Sequence, residues 1–315
     1  MIDDLSDAYG RIAELLRSGK IIPLLGAGAN LCGRPLGARH EKGRYLPSGK
    51  ELAEVLAAPV GYPQDDVLDL ARVSQYVAAQ LGEGSLYDQL HDVFDADYPP
   101  TSLHYFLARW AGHARAAAAA RNAAEVRMGT GAGCMLIATV NYDNLLEQAF
   151  QKEDEPYDLI TYINDVDTDR GLFWHTPFDG HPVVIREPNN SDLSLDQRTI
   201  IAKIHGAVEA DSFVITEDDY VDYITRADIA RLFPVHLVTK IMKSHFLFFG
   251  YSLRDWNFRV MLYRMWQKQR RKRRKFWVVE ANPREVDRVT WDERGVNILP
   301  VSIEDFLDGM EGYFP

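Results

Sequence analysis

The sequence predicts an α/β protein in which a parallel sheet is covered by helices on both faces. Short apolar runs of strand composition alternate with stretches whose apolar residues recur at helical spacing, and no internal repeat is present. This alternation favours parallel strands joined by helical crossovers. We therefore predict one doubly wound, Rossmann-like domain over residues 1–315, with an inserted helical module at about 57–130 and an irregular insertion at about 151–199.

The strands are predicted where short apolar runs end at glycine or polar residues. Residues 31–47 are rich in glycine and basic residues without periodicity, which predicts a mobile loop. Ser48 and Glu51 have capping-box spacing and predict the start of a helix. The alanine-rich stretch 111–126 predicts a surface helix. The predicted strands are 21–25, 134–140, 200–204, 213–215, 246–249, 276–279 and 298–301, with a weaker signal at 182–185.

Composition limits the classes of function. The formal net charge of −11 argues against a surface that coats nucleic acid, because neutralising phosphates needs clustered positive charge. Uncharged apolar runs such as 246–251 are far shorter than the roughly 20 residues of a membrane-spanning helix. The acidic, helically spaced N-terminus is unlike a signal peptide. We expect a cytoplasmic protein that does not enter a membrane.

The chain has two cysteines, Cys32 and Cys134. Two thiols cannot form a disulfide framework or a four-thiolate zinc site. We therefore expect no zinc and no other metal.

Four predicted strands end in residues that could form a ligand site. In an open parallel sheet, ligands bind outside the carboxyl ends of the strands, so the loops that follow them should converge. The four loops are Gly26-Ala27-Gly28-Ala29-Asn30, Asn141-Tyr142-Asp143, His205-Gly206 and Gly250-Tyr251-Ser252.

Each loop also has a purely structural interpretation. The glycine loop could be a simple turn rather than a set of backbone amides that hold a pyrophosphate. Asn141, Asp143 and Ser252 could cap helices, and His205 could be a core histidine. The joint occurrence of the four loops in this order favours a ligand site.

Taken together, the four loops resemble the signatures of the sirtuin superfamily, and more closely the sirtuin-like NAD hydrolases of bacterial antiphage defence. The resemblance runs from Ile21 to Val301 and includes the Asn-Tyr-Asp variant and the segment 46–52. It also includes Gly-Tyr-Ser-Leu followed by Asp255, Asn257 and Arg259. It implies that NAD is the substrate and that Asn141 and His205 are the catalytic pair.

Two departures from the superfamily affect the expected reaction. Protein-deacylating sirtuins carry a four-cysteine zinc module soon after the catalytic histidine, whereas here no cysteine follows Gly206. The Asp-Phe-Arg segment after the glycine loop is also missing, and Asn30 stands where serine is typical. We therefore expect NAD hydrolysis. A protein deacylase and a non-hydrolytic NAD or ADP-ribose sensor remain as alternatives.

The chemistry of nicotinamide release suggests a role for each residue. The departing nicotinamide leaves an oxocarbenium-like ribose, so geometry, charge complementarity and a placed water matter more than a strong acid. Asn141 could orient the ribose or the water, and His205, with an ordinary pKa of about 6.5, could accept a proton. Asp143 could orient Asn141 or the ribose, or cap a helix.

The remaining candidate residues would bind the rest of the dinucleotide. The loop of Gly26, Ala27, Gly28 and Asn30 would contact the cofactor. Gly250 and Ser252 would hold phosphate. Glu280 or Asn282, at the end of a later strand, could reach the adenosine ribose.

Residues 268–275 form the one strong basic cluster of the sequence. The run is either the solvated C-terminus of a helix or a docking patch for an acidic partner or nucleic acid. The resemblance implies an effector that works as a homo-oligomer or with a second subunit, such as a HerA-type ATPase.

Overall fold

The structure is a computed structural model that describes residues 5–125, 134–164, 171–226, 233–251 and 275–314. Its strands are β1 (Ile21–Leu25), β2 (Leu136–Thr139), β3 (Tyr157–Tyr162), β4 (Phe173–Thr176), β5 (Val183–Val184), β6 (Thr199–Lys203), β7 (Gly206–Ala207), β8 (Ser212–Phe213), β9 (His245–Phe249), β10 (Phe276–Val279) and β11 (Val296–Leu299). Its helices are α1 (Leu5–Arg17), α2 (Gly49–Ala57), α3 (Leu70–Leu81), α4 (Glu83–Phe94), α5 (Ser102–Glu125), α6 (Leu145–Lys152), α7 (Glu217–Arg226), α8 (Val235–Lys243), α9 (Glu285–Asp292) and α10 (Ile303–Glu311).

Within these ranges, nine strands form one sheet in the order β11-β10-β9-β1-β2-β6-β3-β4-β5. The strands from β11 to β3 are parallel to one another, and β4 and β5 are antiparallel at one edge. From β1 the chain moves first towards β2 and β6 and later, through β9, towards β10 and β11. The order therefore reverses beside β1, and the predicted doubly wound, Rossmann-like α/β fold is confirmed.

Helices cover both faces of the sheet because each central strand is apolar on both sides. In β1, Ile21 and Leu25 pack in one core with α1, α5, α6 and α10. Ile22 and Leu24 of the same strand pack in the opposite core, to which Leu237 of α8 and Trp291 of α9 contribute. The continuous apolar sequence of β1 is thus explained by burial on two faces.

Helices α2, α3 and α4 share a third core, which lies beside the sheet. The predicted capping box starts α2: the Ser48 amide donates to Glu51, and the Glu51 amide donates to the Ser48 hydroxyl. Asp69 caps α3 by accepting from the amides of Ala71 and Arg72. The same core contains Tyr142 and Phe213, so these helices support the loops that follow β2 and β6.

The prediction of an irregular insertion at about 151–199 needs correction for the described residues 151–164 and 171–199, part of which forms regular strands. This segment contributes β3, which pairs in parallel with β6, and the edge strands β4 and β5. The polar Asp158 and Thr161 obscured the strand pattern of β3. The buried Asp158 accepts a hydrogen bond from the Phe178 amide at 3.0 Å and lies beside Arg198.

The prediction of a surface helix at 111–126 also needs correction. Residues 111–125 continue α5, and Ala111 and Ala114 are buried in the core that α5 shares with the sheet. Alanine has high helix propensity, but its small side chain also allows a helix to pack closely. Helix propensity therefore predicted the helix correctly, but it did not predict that one face of the helix is buried.

Three other predictions differ from the structure or lie outside it. Of the strand predicted at 213–215, only Phe213 is in a strand, and Val214 and Ile215 are buried without strand pairing. Ser252 and residues 268–274 of the basic run lie outside the described residues.

Among the helices described, none is long and apolar enough to cross a membrane.

Candidate active site

Five neighbouring strands of the sheet end at the same level. Leu25 is in register with both Phe249 and Thr139, Thr139 with Lys203, and Phe249 with Val279. The candidate residues follow this row by a few positions on each strand. The structure therefore places the described residues of the four predicted loops, and Glu280 with them, along one carboxyl edge.

The glycine loop after β1 makes close backbone contact with the loop after β9. The Gly26 amide donates to the Phe249 carbonyl at 2.9 Å, and the Gly28 amide donates to the Gly250 carbonyl at 3.0 Å. Gly250 has a φ of +67°, and a Cβ on it would lie 2.0 Å from the Ala29 nitrogen. Glycine is therefore required where the strand order reverses.

This contact changes the expected role of the glycines. Because the amides of Gly26 and Gly28 are bonded to the β9 loop, they are not free to bind a phosphate in this arrangement. Ala27 begins a short 3₁₀ helix, and the first amide of such a helix has no intrahelical acceptor. The Ala27 amide is therefore the backbone donor of this loop that could still bind an anion.

The side chain of Asn141 is held by hydrogen bonds at the carboxyl end of β2. Its Nδ2 donates to the Gly26 carbonyl at 3.2 Å and to Asn30 Oδ1 at 3.3 Å. Its backbone amide donates to Thr139 Oγ1 at 3.0 Å. Asn141 is 8% exposed. The residue is therefore oriented by its surroundings before any ligand binds.

Asp143 bonds to the glycine loop and to the start of α6. Its Oδ2 accepts from Asn30 Nδ2 at 2.6 Å, and its Oδ1 accepts from the Leu145 amide at 3.1 Å. Asp143 therefore stands one residue before Asn144, the N-cap of α6, and bonds both to the first amide of that helix and to the loop that carries Asn30.

A buried lysine behind this loop was not among the sequence candidates. Lys203, the last residue of β6, is fully buried, and its Nζ donates to the Asp143 carbonyl and, at 3.0 Å, to Glu147. Burial lowers its pKa, but Glu147 and other nearby carboxylates outweigh this effect and raise the pKa overall. The signal in the sequence is a lysine at the end of an apolar strand. Such a residue needs a buried partner.

His205 lies between β6 and the short hairpin of β7 and β8. Gly206 next to it has a φ of +89°, and a Cβ there would lie 2.0 Å from the Ser212 carbonyl oxygen, so only glycine fits. The imidazole contacts the rings of Tyr220 and Tyr223 of α7. Burial lowers the pKa of His205 to about 3, so the ring is neutral at physiological pH. It can accept a proton, but as a weaker base than an ordinary histidine.

Tyr142 joins the two candidate catalytic loops. Its hydroxyl donates to the Val214 carbonyl at 2.8 Å, and its carbonyl accepts from the Val208 amide at 3.0 Å. Both partners belong to the chain around the β7–β8 hairpin that follows His205. Tyr142 therefore fixes the His205 hairpin against the loop of Asn141, a role that the sequence gave no means to predict.

A cavity of about 540 Å³ lies beyond the contact between Gly28 and Gly250. This volume is typical of small-molecule sites, which measure about 300–1,000 Å³. Glu280 and Asn282, which follow β10, and Glu304 in the first turn of α10 contribute to its wall. Asn141, Asp143 and His205 do not line it. The candidate residues are thus divided along one edge between those that line the cavity and the proposed catalytic residues, which do not.

Neither cysteine lies in a metal-ligand cluster formed by the described residues. Cys32 borders the cavity and its sulfur lies 3.2 Å from Ser102 Oγ, while Cys134 is buried just before β2. In the ranges that the structure covers, no three His, Cys, Asp or Glu side chains are grouped as metal ligands.

Comparison with known proteins agrees with this fold. The family model of the SIR2-like domain matches residues 135–299, more than half of the chain. The chain belongs to the SIR2-like family. It is also similar to Defense-associated sirtuin 2 of Bacillus subtilis, with 22% identity over 310 residues that cover 95% of this chain and 25% of the relative. The chain thus spans about a quarter of the length of that relative.

Proposed function

We propose that the protein is an NAD glycohydrolase. Water forms a bond to C1′ of the nicotinamide ribose, the bond from C1′ to the nicotinamide nitrogen breaks, and its electron pair leaves with nicotinamide. The water loses one proton, and the products are nicotinamide and ADP-ribose. The observation that carries the proposal is the register of β2 and β6, which brings Asn141 and His205 to the same level of one edge.

The electrostatics of the two residues suit this reaction. NAD carries positive charge on its nicotinamide ring, and the charge moves to the ribose as the bond breaks. A charged histidine beside the ribose would oppose that change. The neutral imidazole of His205 avoids this repulsion and keeps a lone pair for the proton of a hydroxyl or water.

The cavity would receive the adenosine end of the dinucleotide. Glu280 and Asn282 can hydrogen-bond ribose hydroxyls, since a carboxylate accepts hydrogen bonds and an amide both donates and accepts them. The carboxylates of Glu280, Asp287 and Glu304 in the wall would repel phosphate. The pyrophosphate would therefore lie closer to the glycine loop, between the cavity and Asn141.

Nicotinamide release from NAD by the full chain tests the proposal. We expect Asn141→Ala and His205→Ala each to lower the rate by about 100-fold or more, the usual scale for removing a positioned polar group or base. The exposed Asn190→Ala and His181→Ala are matched controls and should keep the wild-type rate.

The same assay separates the alternative functions. Release that requires an acylated peptide would identify a deacylase instead. NAD binding without release, measured by calorimetry in every assembly state of the protein, would identify a sensor and refute the hydrolase proposal.

We further propose that the enzyme depletes NAD in the cytoplasm as part of antiphage defence. The similarity to Defense-associated sirtuin 2 supports this role. A free, always active NAD hydrolase would harm its own cell, so activity should depend on self-assembly or on a second subunit such as a HerA-type ATPase. Light scattering combined with the nicotinamide assay tests this point. An active monomer without any partner would contradict it.

A further inference from the structure

Three polar side chains at the carboxyl edge form a linear chain of hydrogen bonds, with Asn30 in the middle. Asp143 accepts from Asn30 at 2.6 Å, and Asn30 Oδ1 accepts from Asn141 at 3.3 Å. Asn141 also donates to the Gly26 carbonyl at 3.2 Å. The three residues come from the loops after β1 and β2, and each is at most 8% exposed.

The chemistry of the partners fixes which way each amide faces. A backbone carbonyl and a carboxylate can only accept hydrogen bonds. The NH₂ group of Asn30 must therefore face Asp143, which leaves Asn30 Oδ1 to accept from Asn141. Both N–H bonds of Asn141 are then occupied, by Asn30 and Gly26. The one polar atom of the Asn141 side chain left for a ligand is its oxygen.

We propose that Asn30 and Asp143 are positioning residues that fix the amide of Asn141 so that it presents Oδ1, a hydrogen-bond acceptor, to the substrate. The identity of that substrate rests on the proposed function, but the orientation does not. Neither Asn30 nor Asp143 would itself contact the dinucleotide. For Asn30 this role replaces the sequence-predicted contact with the cofactor, and for Asp143 it is the orienting role that the sequence left open beside helix capping.

The orientation matters because the amide has a polarity. Its oxygen carries partial negative charge, which stabilises a ribose that becomes positive or accepts a proton from the attacking water. The reversed amide would direct partially positive N–H groups at the same place. The Asp143 carboxylate, which accepts from the Asn30 amide, therefore controls the sign of the charge that Asn141 contributes.

A double-mutant cycle tests whether Asn30 acts through Asn141. Asn30→Ala should lower kcat by about tenfold, roughly the loss of one buried hydrogen bond, with KM for NAD within about threefold of wild type. In the Asn141→Ala background, Asn30→Ala should have no further effect on kcat. Losses that multiply, or a loss confined to KM, would overturn the proposal. Thermal unfolding of each variant shows that it is folded.

Exchanging the two partners gives a second test. Asn30→Asp alone places two carboxylates against each other and should lower kcat by about 100-fold. The double variant Asn30→Asp/Asp143→Asn keeps one amide and one carboxylate, and both hydrogen bonds can form again. It should recover to within about tenfold of the wild-type kcat. Failure to recover, in a folded protein, would show that one of the two residues contacts the substrate directly.

A measurement without substrate keeps this proposal separate from the proposed function. In protein labelled with ¹⁵N-asparagine, the side-chain NH₂ of Asn141, assigned by its absence in Asn141→Asp, should exchange more slowly than that of the exposed Asn190. Asn30→Ala should remove the protection. Equal exchange rates for Asn141 and Asn190 in the wild type would refute the orientation. Protected Asn141 in a protein that never releases nicotinamide would refute only the hydrolase.

Discussion

On the β2–β6 side of the carboxyl edge, the polar groups are bonded to one another, whereas on the β9–β11 side they line an open cavity. Asn141, Asp143 and Asn30 are buried and mutually hydrogen-bonded, with the charged Lys203 behind them. The cavity side instead has backbone, Glu280 and Asn282 in its wall. The β2–β6 side therefore holds its polar groups in a fixed geometry, and the β9–β11 side has room for a ligand.

Support from the rest of the fold follows the same division. The helices α2 to α4 share a core with Tyr142 and Phe213, and so brace the β2–β6 side. Three substitutions test this division, from the largest expected effect to the smallest.

Lys203→Met should cause the largest loss of stability. It leaves the carboxylate of Glu147 buried without its partner, and breaking a buried ion pair in this way costs about 3–5 kcal/mol. Lys240→Met is the matched control, because the mostly buried Lys240 donates to the Cys134 carbonyl rather than to a carboxylate. Lys240→Met should lower the free energy of unfolding by about 1 kcal/mol. Urea unfolding measures both. Equal losses would mean that the ion pair does not stabilise the β2–β6 side.

Gly250→Ala tests the border between the two sides. Its φ of +67° strains any other residue, and the added Cβ would lie 2.0 Å from the Ala29 nitrogen. We expect a loss of about 3 kcal/mol, from about 1–2 kcal/mol of backbone strain plus the clash. Gly295 has a similar φ of +76°, and a Cβ added to it would have no atom within 4 Å. Gly295→Ala therefore measures the backbone strain alone. If the two variants lose the same stability, the close contact with the glycine loop is not needed.

His91 gives the smallest effect, and it depends on pH. His91 of α4 bonds to Asp211 beside the β7–β8 hairpin and to Asp95, and the bond to Asp211 raises its pKa above 6.5. The stabilisation is therefore complete below about pH 6.5 and disappears as the pH rises through the folded-state pKa. The side chains of His91 and Asp211 are 33% and 67% exposed, so the effect should be about 0.5 kcal/mol or less.

The measurement is the difference in unfolding free energy between wild type and His91→Gln from pH 5 to pH 9. The difference should shrink as the pH rises. A free-energy difference that grows with pH would be the opposite of this expectation. It would contradict the contact between α4 and the hairpin.

Sequence alone predicted the central strands and the loops that follow them. The runs at 21–25, 246–249 and 276–279 are apolar throughout, because parallel strands covered on both faces need apolar residues at every position. Where a buried polar residue interrupts this pattern, as Asp158 does in β3, the prediction failed. The carboxylate is tolerated because partners distant in sequence, such as Arg198, lie beside it.

The sequence by itself determined the order of the loops, the glycine turns and the presence of Asn141 and His205 at the ends of two strands. Only the tertiary structure decided what these residues face. Asn30 and Asn141 are 111 positions apart, and Tyr142 and Val214 are 72 apart. Local patterns carry information on backbone conformation and burial, whereas hydrogen-bond partners are chosen by which strands become neighbours. The orientation of an amide and the pKa of His205 both depend on those neighbours.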